Sequence, residues 1–153
     1  MDAFNDGWNE RRSSRSVSAS AGARRDYVLV IDDDPGIVDL LVALLHEDEG
    51  FPVRTAHSVG QVLAQTPPEP PGLILLDMTL PGEESDALAS RLRLLPGWDD
   101  TPIVLCSGQD YLHEIALRVG AAGYLSKPFS LDTVAELAHR YLPDPLQRDP
   151  HFP

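Results

Sequence analysis

The sequence predicts an α/β domain built on a doubly wound, five-stranded parallel sheet flanked by five helices. Three observations predict it. Short, continuous apolar runs such as Tyr27–Ile31 (YVLVI) and Leu73–Leu76 (LILL) recur along the chain. They lack polar alternation, as strands buried on both faces do. Segments with apolar residues at three- and four-residue spacing separate them, the stripe of a helix packed on one side. Most connections are short, which suits consecutive strand–helix–strand units in one sheet.

Each element follows from local chemistry. After Tyr27–Ile31, Asp34-Pro35 opens a helix, with Asp as N-cap and Pro at the first helical position. Its predicted apolar stripe is Ile37, Leu40, Leu41, Leu44 and Leu45, and Gly50 ends it. Pro52–Ala56 is a weak second strand, and Ser58 caps a short helix that uses Val59, Val62 and Leu63. Thr66–Gly72 (TPPEPPG) reads as a stiff, proline-rich connector. Leu73–Leu76 is the clearest buried strand and delivers Asp77 at its C-terminal end. A helix over Ser85–Leu95 follows, then a strand over Pro102–Cys106 that ends at Ser107. A helix over Asp110–Val119 leads through Gly120-Ala-Ala-Gly123 into a short strand, Tyr124–Ser126. Lys127-Pro128 breaks that strand, and Leu131–Leu142 is the last amphipathic helix.

The flanks read differently. Residues 1–25 carry five arginines against three acids, a net of +2, without sustained periodicity, and read as a flexible arm. Residues 143–153 hold four prolines and read as a frayed tail. The folded domain is therefore expected over 26–142. Of the formal net charge of −12, the chain beyond the arm carries −14. A body that acidic is repelled by phosphate backbones, so nucleic-acid binding through this domain is not expected. One cysteine, Cys106, excludes an intramolecular disulfide and fits a reducing compartment. No apolar run approaches the roughly 20 residues that span a bilayer, and residues 1–25 lack a secretory apolar stretch. The expectation is a cytoplasmic protein without a membrane segment.

Ligands of such folds bind beyond the carboxyl ends of the strands. Asp32, Asp33, Asp77, Ser107 and Lys127 all fall at predicted strand ends, delivered by four different strands. Carboxylates held together repel one another: at about 4 Å each pair costs about 1 kcal/mol in water and about 4 kcal/mol at an effective dielectric of 20. A hard divalent cation relieves that repulsion, and oxygen ligands with retained waters suit Mg²⁺. A carboxylate beside such a cation can act as a nucleophile toward phosphorus and form an acyl phosphate. Lys127, the only lysine, and the Ser107 hydroxyl suit phosphoryl oxygens.

Four motifs carry a family resemblance: Val30-Ile-Asp-Asp-Asp-Pro35, Leu75-Leu-Asp-Met-Thr-Leu-Pro81, Pro102-Ile-Val-Leu-Cys-Ser-Gly108 and Gly120-Ala-Ala-Gly-Tyr-Leu-Ser-Lys-Pro-Phe129. In this order, residues 27–142 resemble the receiver domain of bacterial two-component response regulators, of the single-domain, chemotaxis-regulator kind. The resemblance implies a flavodoxin-like fold and a phosphoryl group taken onto Asp77 from a sensor histidine kinase or a phosphotransfer protein. It implies that Asp33, Asp77 and the Thr79 backbone carbonyl ligate Mg²⁺, with Asp32 acting through water. Ser107 and Lys127 would hold the phosphoryl oxygens, and Ser107 and Tyr124 would form the switch read by a downstream protein. The Lys127-Pro128 bond is typically cis in such domains. Surfaces of the fourth and fifth helices often dimerise in relatives, so a monomer or weak homodimer is expected, and beyond self-catalysed phosphoryl transfer and hydrolysis no enzymatic activity is implied.

Three places depart from the family pattern. Gly82-Glu-Glu-Ser-Asp86 adds negative charge beside the site, the proline-rich connector is long, and Pro96-Gly-Trp-Asp-Asp100 places Trp98 in a loop. Loop packing is the better reading of Trp98. Thr79 and Gln109 stand where the family tunes hydrolysis. With about 11 residues after the last helix, the expectation is a stand-alone receiver read by a separate protein, a phosphorelay intermediate, or the excised front of a longer chain. Two other classes compete. An unphosphorylated pseudo-receiver would bind partners regardless of Asp77. An aspartyl-nucleophile phosphatase needs a second Asp where Thr79 stands. Cys106 reads as a small buried strand residue, and the five histidines show no metal-ligand spacing.

Overall fold

The computed structural model describes residues 25–65, 69–80, 85–108 and 112–145, without the side chains of Ser85, Asp86 and Leu112. Most of the expected arm, the end of the tail, the acids Glu83 and Glu84, and Gln109 lie outside the described residues.

Five strands form one parallel sheet: β1 (Val28–Ile31), β2 (Val53–Ala56), β3 (Leu73–Asp77), β4 (Ile103–Ser107) and β5 (Gly123–Ser126), in the order β2-β1-β3-β4-β5. Five helices among the described residues connect them: α1 (Pro35–Val42), α2 (Val59–Ala64), α3 (Ser85–Arg93), α4 (Leu112–Val119) and α5 (Leu131–Tyr141). The strand order reverses between β1 and β3, the crevice where a doubly wound sheet presents its ligand site.

Period-two alternation sends side chains of each strand to two cores. Leu29, Ile31, Ile74, Leu76, Ile103 and Leu105 pack with Val59, Leu88, Leu92 and Ile115 on the face covered by α2, α3 and α4. Val28, Val30, Leu73, Leu75, Val104 and Leu125 pack with Leu41, Leu45, Val134 and Leu137 under α1 and α5. The central strands β1, β3 and β4 are buried along their whole length, which is why they read as unbroken apolar runs.

Local chemistry sets the element ends. The Asp34 carboxylate accepts from the Gly36 N–H at 2.9 Å and caps α1, and the Ser58 hydroxyl accepts from the Gln61 N–H at 3.0 Å to cap α2. Past Val42 the first helix continues as a π-helical stretch, Ala43–Asp48, which the sequence pattern does not announce. Gly50, at φ +83°, then ends it. Ahead of that stretch, the buried face of α1 is narrower than the expected stripe and is centred on Leu41. Leu41 and Leu45 are buried, whereas Leu40, expected in the stripe, is 46% exposed. The α3 helix stops at Arg93 rather than Leu95, and Trp98 is buried in the turn that follows. Loop packing is thus what the structure shows for that ring.

No described helix is long and apolar enough to cross a membrane.

Candidate functional site

The carboxyl ends of β1, β3, β4 and β5 bring together the residues singled out in the sequence. Asp32 follows β1, Asp77 is the last residue of β3, Ser107 the last of β4, and Lys127 follows β5. Parallel register aligns them: Ile31 pairs with Leu76, Asp77 with Cys106, and Ser107 with Ser126. The Lys127 N–H donates to the Ser107 carbonyl at 2.9 Å, so the ladder extends into the site. The Lys127-Pro128 peptide is cis.

Asp32, Asp33 and Asp77 each offer a carboxylate oxygen, all within 4.8 Å of one another. Asp32 and Asp77 are buried, while Asp33 is exposed. The Lys127 ammonium lies 3.2 Å from Asp32 Oδ2 and 3.6 Å from Asp77 Oδ1. The Asp34 N–H donates to Asp32 Oδ1 at 2.9 Å, and Thr79 donates to Asp77 Oδ1 from its N–H (3.0 Å) and its hydroxyl (2.8 Å). These donors fix the carboxylates in place. The Ser107 side chain is fully buried beside them.

Electrostatics follow from the crowding. Burial raises the Asp32 carboxyl above the usual carboxylate range, and the Asp77 charge adds to the rise against the opposing Asp34 N–H and Lys127. Burial works against the Lys127 ammonium, but Asp77 and Asp32 outweigh it and its pKa is raised. One ammonium faces three carboxylates, so the site carries an excess of negative charge on hard oxygen atoms. That donor set fits a divalent cation of the Mg²⁺ type.

Tyr124, half-buried on β5, lies opposite Leu105 of β4. Ser107 is two residues beyond Leu105 and shares its face of the sheet. The sequence assigns no chemistry to His113, yet its ring meets Tyr124 edge-on, with centroids 5.4 Å apart and planes at 68°. That pairing is a tertiary contact between α4 and β5, and residue spacing carries no signal for it. Cys106 is buried, and burial pushes its thiol up to about 12, so it is an inert strand residue.

Residues 28–139 match the family model of the response regulator receiver domain. The chain is 32% identical over 117 residues to the nitrogen assimilation regulatory protein NtrX of Azorhizobium caulinodans, covering 75% of this chain and 26% of that protein. It therefore spans about a quarter of that relative's length. It is 28% identical to sporulation initiation phosphotransferase F of Bacillus subtilis, covering 77% of this chain and 94% of that one. Among solved structures, the receiver domain of NtrX from Brucella abortus superposes with a TM-score of 0.65 at 33% identity, covering 75% of this chain and 97% of that one. The chemotaxis response regulator CheY4 of Vibrio cholerae gives a TM-score of 0.67 at 26% identity, with 76% and 98% coverage.

Proposed function

The chain belongs to the response regulator receiver family, and from that premise we propose that Asp77 accepts a phosphoryl group from a histidine kinase or phosphotransfer protein. One observation carries the reading: three carboxylates within 4.8 Å of one another, with Lys127 at 3.2 Å and 3.6 Å from the two buried ones. A structural ion pair needs one acid per lysine. Two further acids, one of them buried, are tolerable where a cation and a phosphoryl group come and go.

In the transfer, an Asp77 carboxylate oxygen attacks phosphorus, the P–N bond to the donor imidazole breaks, and the imidazole leaves with the electron pair. Asp33, Asp77 and the Thr79 backbone carbonyl would hold Mg²⁺, with Asp32 reaching it through water. Bound there, Mg²⁺ supplies neutralising charge to the phosphoryl oxygens. Lys127 offsets the remaining charge, and the Ser107 hydroxyl donates to a phosphoryl oxygen. Thr79, by holding Asp77 Oδ1 with two hydrogen bonds, orients the carboxylate and leaves Oδ2 as the attacking atom.

Ser107 moving toward the phosphoryl group frees space on the sheet face it shares with Tyr124, and the ring turns inward. The surface of α4 and β5 changes with it, for a downstream protein to read. The protein acts in the cytoplasm, as a monomer or weak homodimer.

Incubation with Mg²⁺ and acetyl phosphate tests the reading. The expected product carries one phosphoryl group, labile to hydroxylamine as an acyl phosphate is, and fails to form with EDTA. Equal labelling of Asp77→Asn would refute it.

A further inference from the structure

In the receiver reading Tyr124 takes an outer and an inner position, and its half-exposed ring here corresponds to the outer one. It packs against the core under α2, α3 and α4, yet remains half-exposed. His113, near the start of α4, lies edge-on to Tyr124 at 5.4 Å between centroids and 68° between planes. That is the geometry in which aromatic pairs attract beyond their buried area. His113 is itself exposed, so its ring is not part of the packing that holds α4 to the sheet. Ile115 and Ala116, both buried, do that.

We propose that His113 is a positioning residue that holds Tyr124 in its outer position in the unmodified chain, and so sets how readily Asp77 modification turns the switch. The inference rests on the receiver reading above, in which Tyr124 turns inward when Ser107 is drawn to the phosphoryl group. A contact made only in the outer state biases the equilibrium against the inner one. By linkage it lowers the affinity of Asp77 for a phosphoryl group by the same factor. Removing the His113 ring therefore raises that affinity, an effect opposite in sign to that of merely damaging the fold.

The test uses the full chain labelled with ¹⁹F-tyrosine, with the Tyr124 line assigned from Tyr124→Phe, and titrates beryllofluoride with Mg²⁺ as the phosphoryl mimic. His113→Ala is expected to lower the half-saturating beryllofluoride concentration by about two- to tenfold, the worth of one edge-to-face ring contact. Before any beryllofluoride is added, its Tyr124 line should already stand displaced from the wild-type position toward the saturated one. His113→Phe keeps a ring edge against Tyr124 and should stay within about twofold of the wild type. A wild-type chain that responds to beryllofluoride, with His113→Ala unchanged or weaker, overturns this inference and leaves the receiver reading standing. A wild-type chain that takes up no beryllofluoride overturns both.

Discussion

Asp33 is the exposed member of the acidic trio, while Asp32 and Asp77 are buried and held by hydrogen bonds from Asp34 and Thr79. Its carboxylate brings the trio to three acids, one more than the two that Lys127 meets within 4 Å, and in the proposed function it is a Mg²⁺ ligand. Mg²⁺ at tenfold above its dissociation constant should stabilise the wild type by about 1.4 kcal/mol. Asp33→Asn should lose that increment in thermal melts, without being less stable than the wild type in EDTA, because a like charge has been removed. A second residue-scale prediction concerns Tyr27, whose hydroxyl donates to the Glu69 carbonyl at 2.7 Å. Burial pushes this phenol from 10.0 up to about 12, with Arg54 opposing and Glu69 and Asp26 adding to the rise. A folded pKa above the unfolded one means the neutral form is favoured by folding. That contribution is intact below pH 10.0 and is lost as pH rises through about 12. Tyr27→Phe should show a smaller loss of urea stability over that window. The strand-end acids were legible from sequence because each closes an apolar run. His113 was not, since its partner is reached through the fold.

Elements were legible to the extent that their ends are chemical. Asp34-Pro35, Ser58 and Gly50 each mark a boundary by hydrogen bonding or backbone conformation, and the structure uses all three as read. The π-helical stretch Ala43–Asp48 was not legible, because the apolar spacing of Leu41, Leu44 and Leu45 fits an α stripe equally well. Leu40, at a stripe position by spacing, lies ahead of that stretch and is exposed because the buried face of α1 is centred on Leu41. The turn after α3 is held by another device that local pattern does not reveal. Arg93 donates to the Asp99 and Thr101 carbonyls at 3.0 Å and 3.3 Å and to the Gly120 carbonyl at 2.8 Å. One side chain thus ties the end of α3, the Trp98 turn and the approach to β5. Arg93→Ala should destabilise by about 1–3 kcal/mol in urea unfolding. Arg93→Lys should recover little, since an ammonium cannot fork to three carbonyls in two directions.

Across the whole molecule, the doubly wound sheet explains why a dispersed set of residues becomes one site. Crossover helices return each strand in the same direction, so Asp32, Asp77, Ser107 and Lys127 emerge on one edge although 95 residues separate the first from the last. The opposite edge is closed by Gly72, where the chain before β1 and the residue after α5 converge. A β-carbon there would run into the Arg25 carbonyl oxygen and lie 2.9 Å from Leu142 Cγ. Gly72→Ala should therefore cost about 1–3 kcal/mol of stability, read by urea unfolding, while leaving the strand-end carboxylates untouched. The most direct measurement of the central claim is borohydride reduction after incubation with Mg²⁺ and acetyl phosphate, followed by peptide mass spectrometry. An acyl phosphate on Asp77 predicts homoserine at position 77 alone, absent when EDTA is present. Reduction at another carboxylate, or none at position 77, would contradict it.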